Sequence, residues 1–169
     1  MTFDPQPCLE NDHVRLRPMQ AADFETLYAV ASDPDIWAQH PAHDRHERAV
    51  FREFFDAGMA GGACFVIFDR KTDEMIGSSR YHGFDAKRSR VEIGWTFLAR
   101  SHWGGPWNRA VKALMLDHAF RFVDRVVLYA GSDNHRSRRA IEKIDGVADG
   151  MRDDGGGRHS VRYVVRRPG

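Results

Sequence analysis

The stretch EIGWTFLARSHWGGPWNRAVKALMLDHAFRFVDRVVLYAGSDNHRSRRAIEK, residues 92–143, decides the fold. The alternation typical of a strand covers 91–98, and after a loop of glycines and tryptophans the spacing becomes that of an amphipathic helix over about 107–123. A short apolar run at 126–130 follows. Because parallel neighbours need a long crossover connection, this order predicts that the strands 91–98 and 126–130 pair in parallel.

The rest of the chain predicts one α/β (α+β) domain over residues 1–169, with residues 1–12 as an irregular lead-in. Segments with a two-residue period indicate further strands, and segments with a helical period bring the helices to about four. The further strands are 13–17, 64–68, 75–82, 147–152 and 159–165, and the further helices run from Phe24 to just before Pro34, over about 45–59, and from a cap at Asp133 or Asn134. The predicted sheet is therefore mixed and mostly antiparallel.

Charge and cysteine usage exclude several classes of protein. The chain carries 25 Lys and Arg against 24 Asp and Glu, so attraction to nucleic acid is not expected, and only the basic run 135–143 favours RNA. Cys8 and Cys64 stand apart without a CxxC pattern, which argues against a disulfide framework and suits a reducing compartment. No run approaches the roughly 18 apolar residues that a membrane span needs. We therefore expect a cytoplasmic protein that binds neither nucleic acid nor membrane.

The strand 91–98 alternates between two kinds of side chain. Since successive side chains point to opposite faces, one face is predicted to be apolar and the other to carry a carboxylate. The apolar positions are Val91, Ile93, Trp95 and Phe97, and the opposite positions are Glu92, Gly94, Thr96 and Leu98. On this reading Glu92, Gly94 and Thr96 lie together.

The loop before the helix at 107 favours anion binding. Small residues that run into a helix N-terminus present N–H groups without intrahelical partners at the positive end of the helix dipole. Arg109 and Lys112 support this interpretation, because cations in a first turn are unfavourable unless an anion lies there. Gly104 and Gly105 taken alone indicate only a turn. Their position between this strand and this helix favours the anion site.

The segment 90–146 resembles the central region of the GNAT acetyltransferases, especially the branch related to ribosomal-protein N-terminal acetyltransferases. The resemblance implies the GNAT acyl-CoA N-acyltransferase fold, with acetyl-CoA as the acetyl donor and no metal. In the family, amides of the matching loop hold the CoA pyrophosphate, which here implies Trp103, Gly104, Gly105, Trp107, Asn108 and Arg109. Two positions depart from the family pattern: Asn108 replaces Gly or Ala, and Pro106 replaces a glycine and has no N–H to donate.

The resemblance also implies a place for the pantetheine arm. In the family the two parallel strands separate, often beside a bulge, and the pantetheine amides pair with the exposed strand edges. This implies backbone contacts from Phe97, Leu98 and Ala99, with Gly94 as the expected bulge. Asn134 matches a family asparagine near this arm, and helix capping is the alternative.

The reaction implied by the resemblance is direct attack of a primary amine on the thioester, which needs a base for the ammonium proton. Glu92 matches a strand glutamate that serves as base in some family members, and a partly dry cleft raises the pKa of a carboxylate. An ion pair with Arg80 or Arg90 is the alternative for Glu92.

The leaving thiolate needs an acid or water. Many family members place a Tyr near residue 141, but this chain has Ile141. Ser137 is the candidate in its place, with Tyr129 or bound water as alternatives. Loss of this Tyr, together with Pro106, leaves open a weakened GNAT scaffold that senses CoA or binds a partner.

The acceptor is expected to contact His40, His82 and Phe84, because the family builds this specificity from its first helices and from the loop near 83–89. The acceptor itself is a small molecule, a peptide or a protein N-terminus. His40 and its neighbours His43 and His46 straddle Pro41 without a fourth ligand, which argues against zinc. A homodimer is an assembly that the resemblance leaves open.

Overall fold

A computed structural model describes residues 1–169, which form eight strands and five α-helices. The strands are β1 (Leu9–Glu10), β2 (Val14–Pro18), β3 (Cys64–Asp69), β4 (Met75–Asp85), β5 (Arg90–Leu98), β6 (Arg125–Gly131), β7 (Val147–Gly155) and β8 (Arg158–Arg166). The helices are α1 (Phe24–Ala31), α2 (Pro34–Trp37), α3 (Arg48–Gly61), α4 (Trp107–Ala119) and α5 (His135–Glu142).

The strands form one mixed sheet in the order β1-β2-β3-β4-β5-β6-β8-β7, and every pairing except that of β5 with β6 is antiparallel. The predicted parallel pair and the mixed, mostly antiparallel sheet are thus confirmed. The parallel pairing extends only from Arg90 opposite Arg125 to Glu92 opposite Val127. Beyond Glu92 the two strands continue without pairing, so the sheet opens at this residue.

A bulge in β5 lies just past this opening. Ser78 of β4 faces Phe97 whereas Arg80 faces Gly94, so two residues of β5 oppose one residue of β4. The residue with left-handed backbone is Trp95, with φ of 54°, and Gly94 has no positive φ. The bulge therefore centres one residue beyond the expected Gly94.

The bulge also overturns the predicted alternation of the strand. Because an extra residue reverses which face each later side chain takes, Ile93 packs in the core beneath α4 whereas Phe97 packs in the core beneath α1 and α3. Leu98 returns to the α4 side. Thr96 also faces α4, through a hydrogen bond from Lys112, and is separated from Glu92.

The two cores lie on opposite faces of the sheet. Alternate residues of β3 enter one core or the other, with Phe65 on the α4 side and Val66 on the side of α1 and α3. Aromatic rings dominate the second core, where Phe51 contacts Phe97 edge to face at 6.1 Å. This packing fixes the free end of β5 against α3.

Several element bounds differ from the prediction. Pro34 ends α1 as expected but also begins α2, because its fixed φ suits a first helical position and Asp33 caps the new helix through its side chain. The helix predicted to reach 123 ends at Ala119, and the lead-in contains the short strand β1. No helix is long and apolar enough to cross a membrane.

Candidate active site

A cavity of about 980 Å³ opens where β5 and β6 separate. The start of α4 and the face of α5 bound one part of it, and the loop after α2 and the β7–β8 hairpin bound the other. Most of the predicted site residues line it: His40, Glu92, Phe97, Leu98, Trp103, Gly104, Gly105, Asn108, Arg109, Asn134 and Ser137. Ala99, Trp107, His82 and Phe84 lie outside its wall. The structure therefore joins the predicted cofactor loop, the carboxylate and one acceptor residue in a single cavity.

The start of α4 presents free backbone donors to this cavity. The amides of Asn108 and Arg109, which line the cavity, and that of the adjacent Trp107 donate to no acceptor within the chain, and no side chain caps the helix. Pro106 precedes them with φ of −79° and ψ of −9°, and its carbonyl accepts from the amide of Ala110 at 2.9 Å. Pro106 thus has helical geometry, which a pyrrolidine ring adopts without strain. The arrangement suits an anion at the helix N-terminus.

Two tryptophans shape the loop through their side chains. Trp103 donates from its indole Nε1 to the carbonyl oxygen of Leu98 at 2.9 Å. Trp107 folds back over Gly105, where a Cβ atom would lie 2.3 Å from the indole ring. The indole also meets the ring of His102 with centroids 4.6 Å apart. Gly105 is therefore needed for the close approach of Trp107, and the side chain of Trp107 supports the loop from outside the cavity.

Part of the strand edge expected to contact pantetheine is already hydrogen-bonded within the chain. The carbonyl of Leu98 accepts from Trp103, and the amide of Ala99 donates to Ile76 on β4 at 2.7 Å. Phe97 and Leu98 nevertheless line the cavity, whereas Ala99 does not.

Glu92 lies where the strands separate, and its carboxylate makes neither a hydrogen bond nor an ion pair with another side chain. Burial is the largest influence on its pKa and raises it above the ordinary value, although electrostatic interactions with His82, Arg152 and Arg80 oppose this effect. The Oε1 atom lies 3.2 Å from the position that a Cβ on Gly94 would occupy. The alternative of a direct ion pair with Arg80 or Arg90 is therefore wrong, and the carboxylate is free to accept a proton.

Asn134 caps α5, since its side-chain oxygen accepts from the amide of Ser137 at 3.2 Å. The capping interpretation is thus confirmed, and the same residue lines the cavity. Ser137 stands in the first turn of α5 with its hydroxyl unbonded within the chain, while Ile141 is buried in the core one turn later. Tyr129 also lines the cavity and carries the guanidinium of Arg152 over its ring at 3.9 Å.

The three predicted acceptor residues do not lie together. His40 lines the main cavity, where burial and the nearby Arg45 lower its pKa to about 4, so it is neutral. Its Nδ1 accepts from the amide of Ala42 at 2.9 Å, which leaves the ring proton on Nε2. His82 and Phe84 instead line a second cavity of about 630 Å³.

Trp95 connects the two cavities. This residue lines both of them, and its ring meets the ring of His82 edge to face at 5.3 Å. The positive φ that the bulge gives Trp95 turns this side chain to its position between them.

Lys112 does not serve the anion site in the way predicted. It is the sixth residue of α4 rather than part of its first turn, and only 5% of its surface is exposed. Its Nζ donates to Oγ1 of Thr96 at 2.7 Å, and Thr96 bonds in turn to the hydroxyl of Ser79 at 2.7 Å. Burial lowers the pKa of Lys112 to about 7. The sequence signal was its helical spacing, three positions before Met115 and four before Leu116, both of which are buried.

Two arginines of this region were missed by the sequence interpretation as site residues. Arg45 lines the main cavity and Arg80 lines the second one, and both stack on aromatic rings. They lie 35 positions apart on a loop and a strand, so no local pattern joins them.

Comparison with known proteins identifies the architecture. The sequence pattern of the acetyltransferase (GNAT) domain matches residues 13–147. The chain belongs to the GNAT acetyltransferase family. The match spans the opened strand pair, the helix N-terminus at Trp107 and the cap at Asn134, which are the features that build the cavity.

Relatives and solved GNAT structures agree with this assignment. The chain is 26% identical over 150 residues to the uncharacterised N-acetyltransferase p20 of Bacillus licheniformis, covering 85% of this chain and 84% of that protein. A GCN5-related N-acetyltransferase from Brucella melitensis has the same fold with a TM-score of 0.85 and 20% identity, covering 98% of this chain and 80% of the other. Spermidine N-acetyltransferase from Vibrio cholerae, solved with CoA and spermine, has a TM-score of 0.71 and 16% identity, covering 92% and 96%.

Proposed function

We propose that this GNAT protein transfers an acetyl group from acetyl-CoA to a primary amine by direct attack. One observation carries the proposal: a single cavity holds free amides at a helix N-terminus at one part of its wall and the unpaired carboxylate of Glu92 at another. The amides suit a pyrophosphate and the carboxylate suits an ammonium proton. Acyl-CoA chemistry needs both groups within reach of one extended ligand.

The residues of the loop fit the CoA pyrophosphate. Free donors come from Trp107, Asn108 and Arg109, and Gly104, with φ of 74°, allows the backbone to turn into the helix. The separated edges of β5 and β6 suit the amide groups of pantetheine, and Phe97, Leu98 and Asn134 lie along them. Acetyl-CoA supplies a thioester whose carbonyl carbon accepts the amine, with the CoA thiolate as leaving group.

Glu92 is the proposed base. A carboxylate whose pKa is raised by burial takes a proton from an ammonium group more readily than an exposed carboxylate does. Ser137 is the proposed proton donor to the thiolate, since it lines the same cavity and its hydroxyl has no partner in the chain. His40 contributes a neutral ring with its proton on Nε2, which suits hydrogen bonding to the acceptor rather than proton abstraction.

The test measures thiol release from acetyl-CoA across a panel of amines, peptides and protein N-termini. Turnover with at least one amine supports the proposal, and mass spectrometry of the product locates the acetyl group. The alternative of a CoA-binding scaffold is favoured by Pro106 and by the buried Ile141 in place of an acid. Calorimetric binding of acetyl-CoA without turnover on any amine would establish that alternative, and absence of both would contradict the proposal.

A further inference from the structure

Two guanidinium groups lie close to one aromatic ring, that of Phe54. The Cζ atoms of Arg45 and Arg80 lie 4.6 and 5.3 Å from the ring centroid of Phe54. Each arginine also stacks on a second ring. The Cζ atom of Arg45 lies 5.6 Å from the ring centroid of Trp37, and that of Arg80 lies 4.1 Å from the ring centroid of Trp95. Two cations are thus brought together from separate elements, Arg45 from the loop before α3 and Arg80 from β4, on either side of Phe54 in sequence.

Neither cation has a partner in the chain. Burial lowers the pKa of both guanidinium groups, and for Arg45 the next largest cause is the positive charge of Arg80. The Nε of Arg80 is buried and donates to nothing. A buried donor without an acceptor costs free energy, so such a group in a native protein calls for an explanation.

Other arginines that stack on aromatic rings nearby are paired differently. Arg48 and Arg52 of α3 also lie over Phe24, but Arg48 forms an ion pair with Glu25, and Arg52 forms one with Asp56 at 3.4 Å. The carboxylate that influences the pKa of Arg80 is Glu92, which forms no ion pair with it. The pair Arg45 and Arg80 therefore lacks a counter-ion that its neighbours have.

Stacking leaves the in-plane N–H groups of a guanidinium free. These groups form a planar fork that matches the two oxygens of a carboxylate or of a phosphate. Arg45 lies in the wall of the main cavity with Glu92, whereas Arg80 lies in the wall of the second cavity. Trp95, on which Arg80 stacks, belongs to both walls. An oxyanion held by the two arginines would thus lie where the two cavities adjoin at Trp95, beside the cavity that contains Glu92.

We propose that Arg45 and Arg80 form a binding site for an oxyanion group of the acceptor, so that the preferred acceptor is an amine that also bears a carboxylate or a phosphate-like group. This inference rests on the proposed acetyl transfer and names its substrate class. It also accounts for the unpaired, buried Nε of Arg80.

A matched set of amines tests the class of acceptor. Propylamine, β-alanine and 2-aminoethylphosphonate differ only in the terminal methyl, carboxylate or phosphonate group. We expect kcat/KM for β-alanine or for the phosphonate to exceed that for propylamine by about tenfold or more, the scale of one hydrogen bond to a charged group. Whichever of the two acidic amines has the larger kcat/KM shows whether the site prefers a carboxylate or a phosphonate.

Substitutions of the two arginines test whether they cause the preference for acidic amines. Arg45→Met keeps the apolar stem and removes the fork, and it should reduce the preference for the acidic amine over propylamine by about tenfold, with the KM for acetyl-CoA unchanged. Arg80→Met should act in the same direction. Arg45 is a loop residue, so its variant keeps the test decisive if the Arg80 variant does not fold. Arg52→Met is the control, since Arg52 also stacks on an aromatic ring but is paired and lies outside both cavities.

A binding measurement separates this inference from the proposed function. N-Acetyl-β-alanine and N-propylacetamide are titrated into the protein with CoA present. Tighter binding of the acid, lost in Arg45→Met, supports the oxyanion site even where no turnover is found, and the proposed function alone then fails. Equal binding of the two compounds, or equal loss of both in Arg45→Met, overturns the oxyanion site while leaving acetyl transfer to neutral amines standing.

Discussion

The Nζ atom of Lys112 on α4 donates a hydrogen bond to Oγ1 of Thr96 at 2.7 Å, directly after the bulge of β5. Without the bulge Thr96 would face the opposite side of the sheet, because strand side chains alternate. The contact thus joins the cofactor-loop helix to the strand that opens the cavity. It also places a buried amine in the wall of that cavity.

The first prediction concerns pH and Lys112. In the unfolded chain a lysine keeps its proton to about pH 10.4, whereas burial lowers the pKa to about 7 in the folded protein. Between these values the unfolded state binds more protons, so the free energy of unfolding should rise with pH, by up to about 1.4 kcal/mol per unit. Below pH 7 the lysine is protonated in both states, so it no longer makes the free energy of unfolding depend on pH.

Urea unfolding at pH 7, 8 and 9 checks this expectation. Lys112→Met has no titrating amine at this position. The amount by which its free energy of unfolding exceeds that of the natural protein should therefore be largest at pH 7 and should shrink as the pH rises. Lys87→Met is the control, because Lys87 is exposed and its removal should leave the pH profile unchanged. A constant difference between Lys112→Met and the natural protein across the three pH values would contradict the buried, deprotonating lysine.

The elements around these two residues were largely predictable from sequence, for local reasons. The helix N-terminus at Trp107, the cap at Asn134 and the parallel pair all follow from spacing, capping chemistry and connection length. The position of the bulge did not follow, because a tryptophan with φ of 54° has no local signal and glycine was the natural expectation. One displaced residue changed the face of Phe97 and with it the side-chain neighbours of Glu92.

The residues of the candidate site were also only partly predictable from sequence. The amide loop and Glu92 belong to one continuous segment, so a sequence interpretation could place them together. Arg45, Phe54 and Arg80 come from a loop, a helix and a strand, and only tertiary packing brings them together. Similarly, the Glu92–arginine alternative depended on side-chain geometry that residue spacing does not determine.

The second prediction concerns Glu92. Glu92→Gln keeps the size of the side chain and removes its proton affinity, so turnover should fall roughly a hundredfold, the usual scale for loss of a general base. The Kd for acetyl-CoA should be unchanged. Initial rates and calorimetry measure the two quantities separately. Unchanged turnover at neutral pH would remove Glu92 from the mechanism, and a parallel loss of melting temperature would point to a structural role.

The third prediction concerns Gly105. A Cβ at this position would lie 2.3 Å from the Trp107 ring, so Gly105→Ala must displace the indole. We expect a loss of about 1–3 kcal/mol in the free energy of unfolding, the scale of overpacking, together with weaker CoA binding. Gly61→Ala is the control, because nothing lies within 4 Å of its added methyl group. Equal stability of the two variants would mean that Trp107 moves aside freely and does not support the loop.

The fourth prediction concerns Pro106, where the chain lacks an N–H immediately before the free amides of α4. Its φ of −79° and ψ of −9° are helical, so a restored N–H would point out of the helix N-terminus beside those of Trp107 and Asn108. Since a hydrogen bond to a charged group contributes about 1.5–3 kcal/mol, Pro106→Gly should tighten CoA binding by roughly tenfold or more.

Stability should move in the opposite direction for the same variant. Freeing the backbone gives the unfolded chain more entropy, so Pro106→Gly without ligand should lose about 0.4–1 kcal/mol in the free energy of unfolding. Pro106→Ala is the matched variant, because it restores the N–H while alanine keeps a helical backbone with less freedom than glycine. Both variants should therefore bind CoA more tightly in calorimetric titration, with the alanine variant losing less stability. Equal or weaker CoA binding by both would mean that the ring of Pro106 preorganises the loop and that no donor is needed at this position.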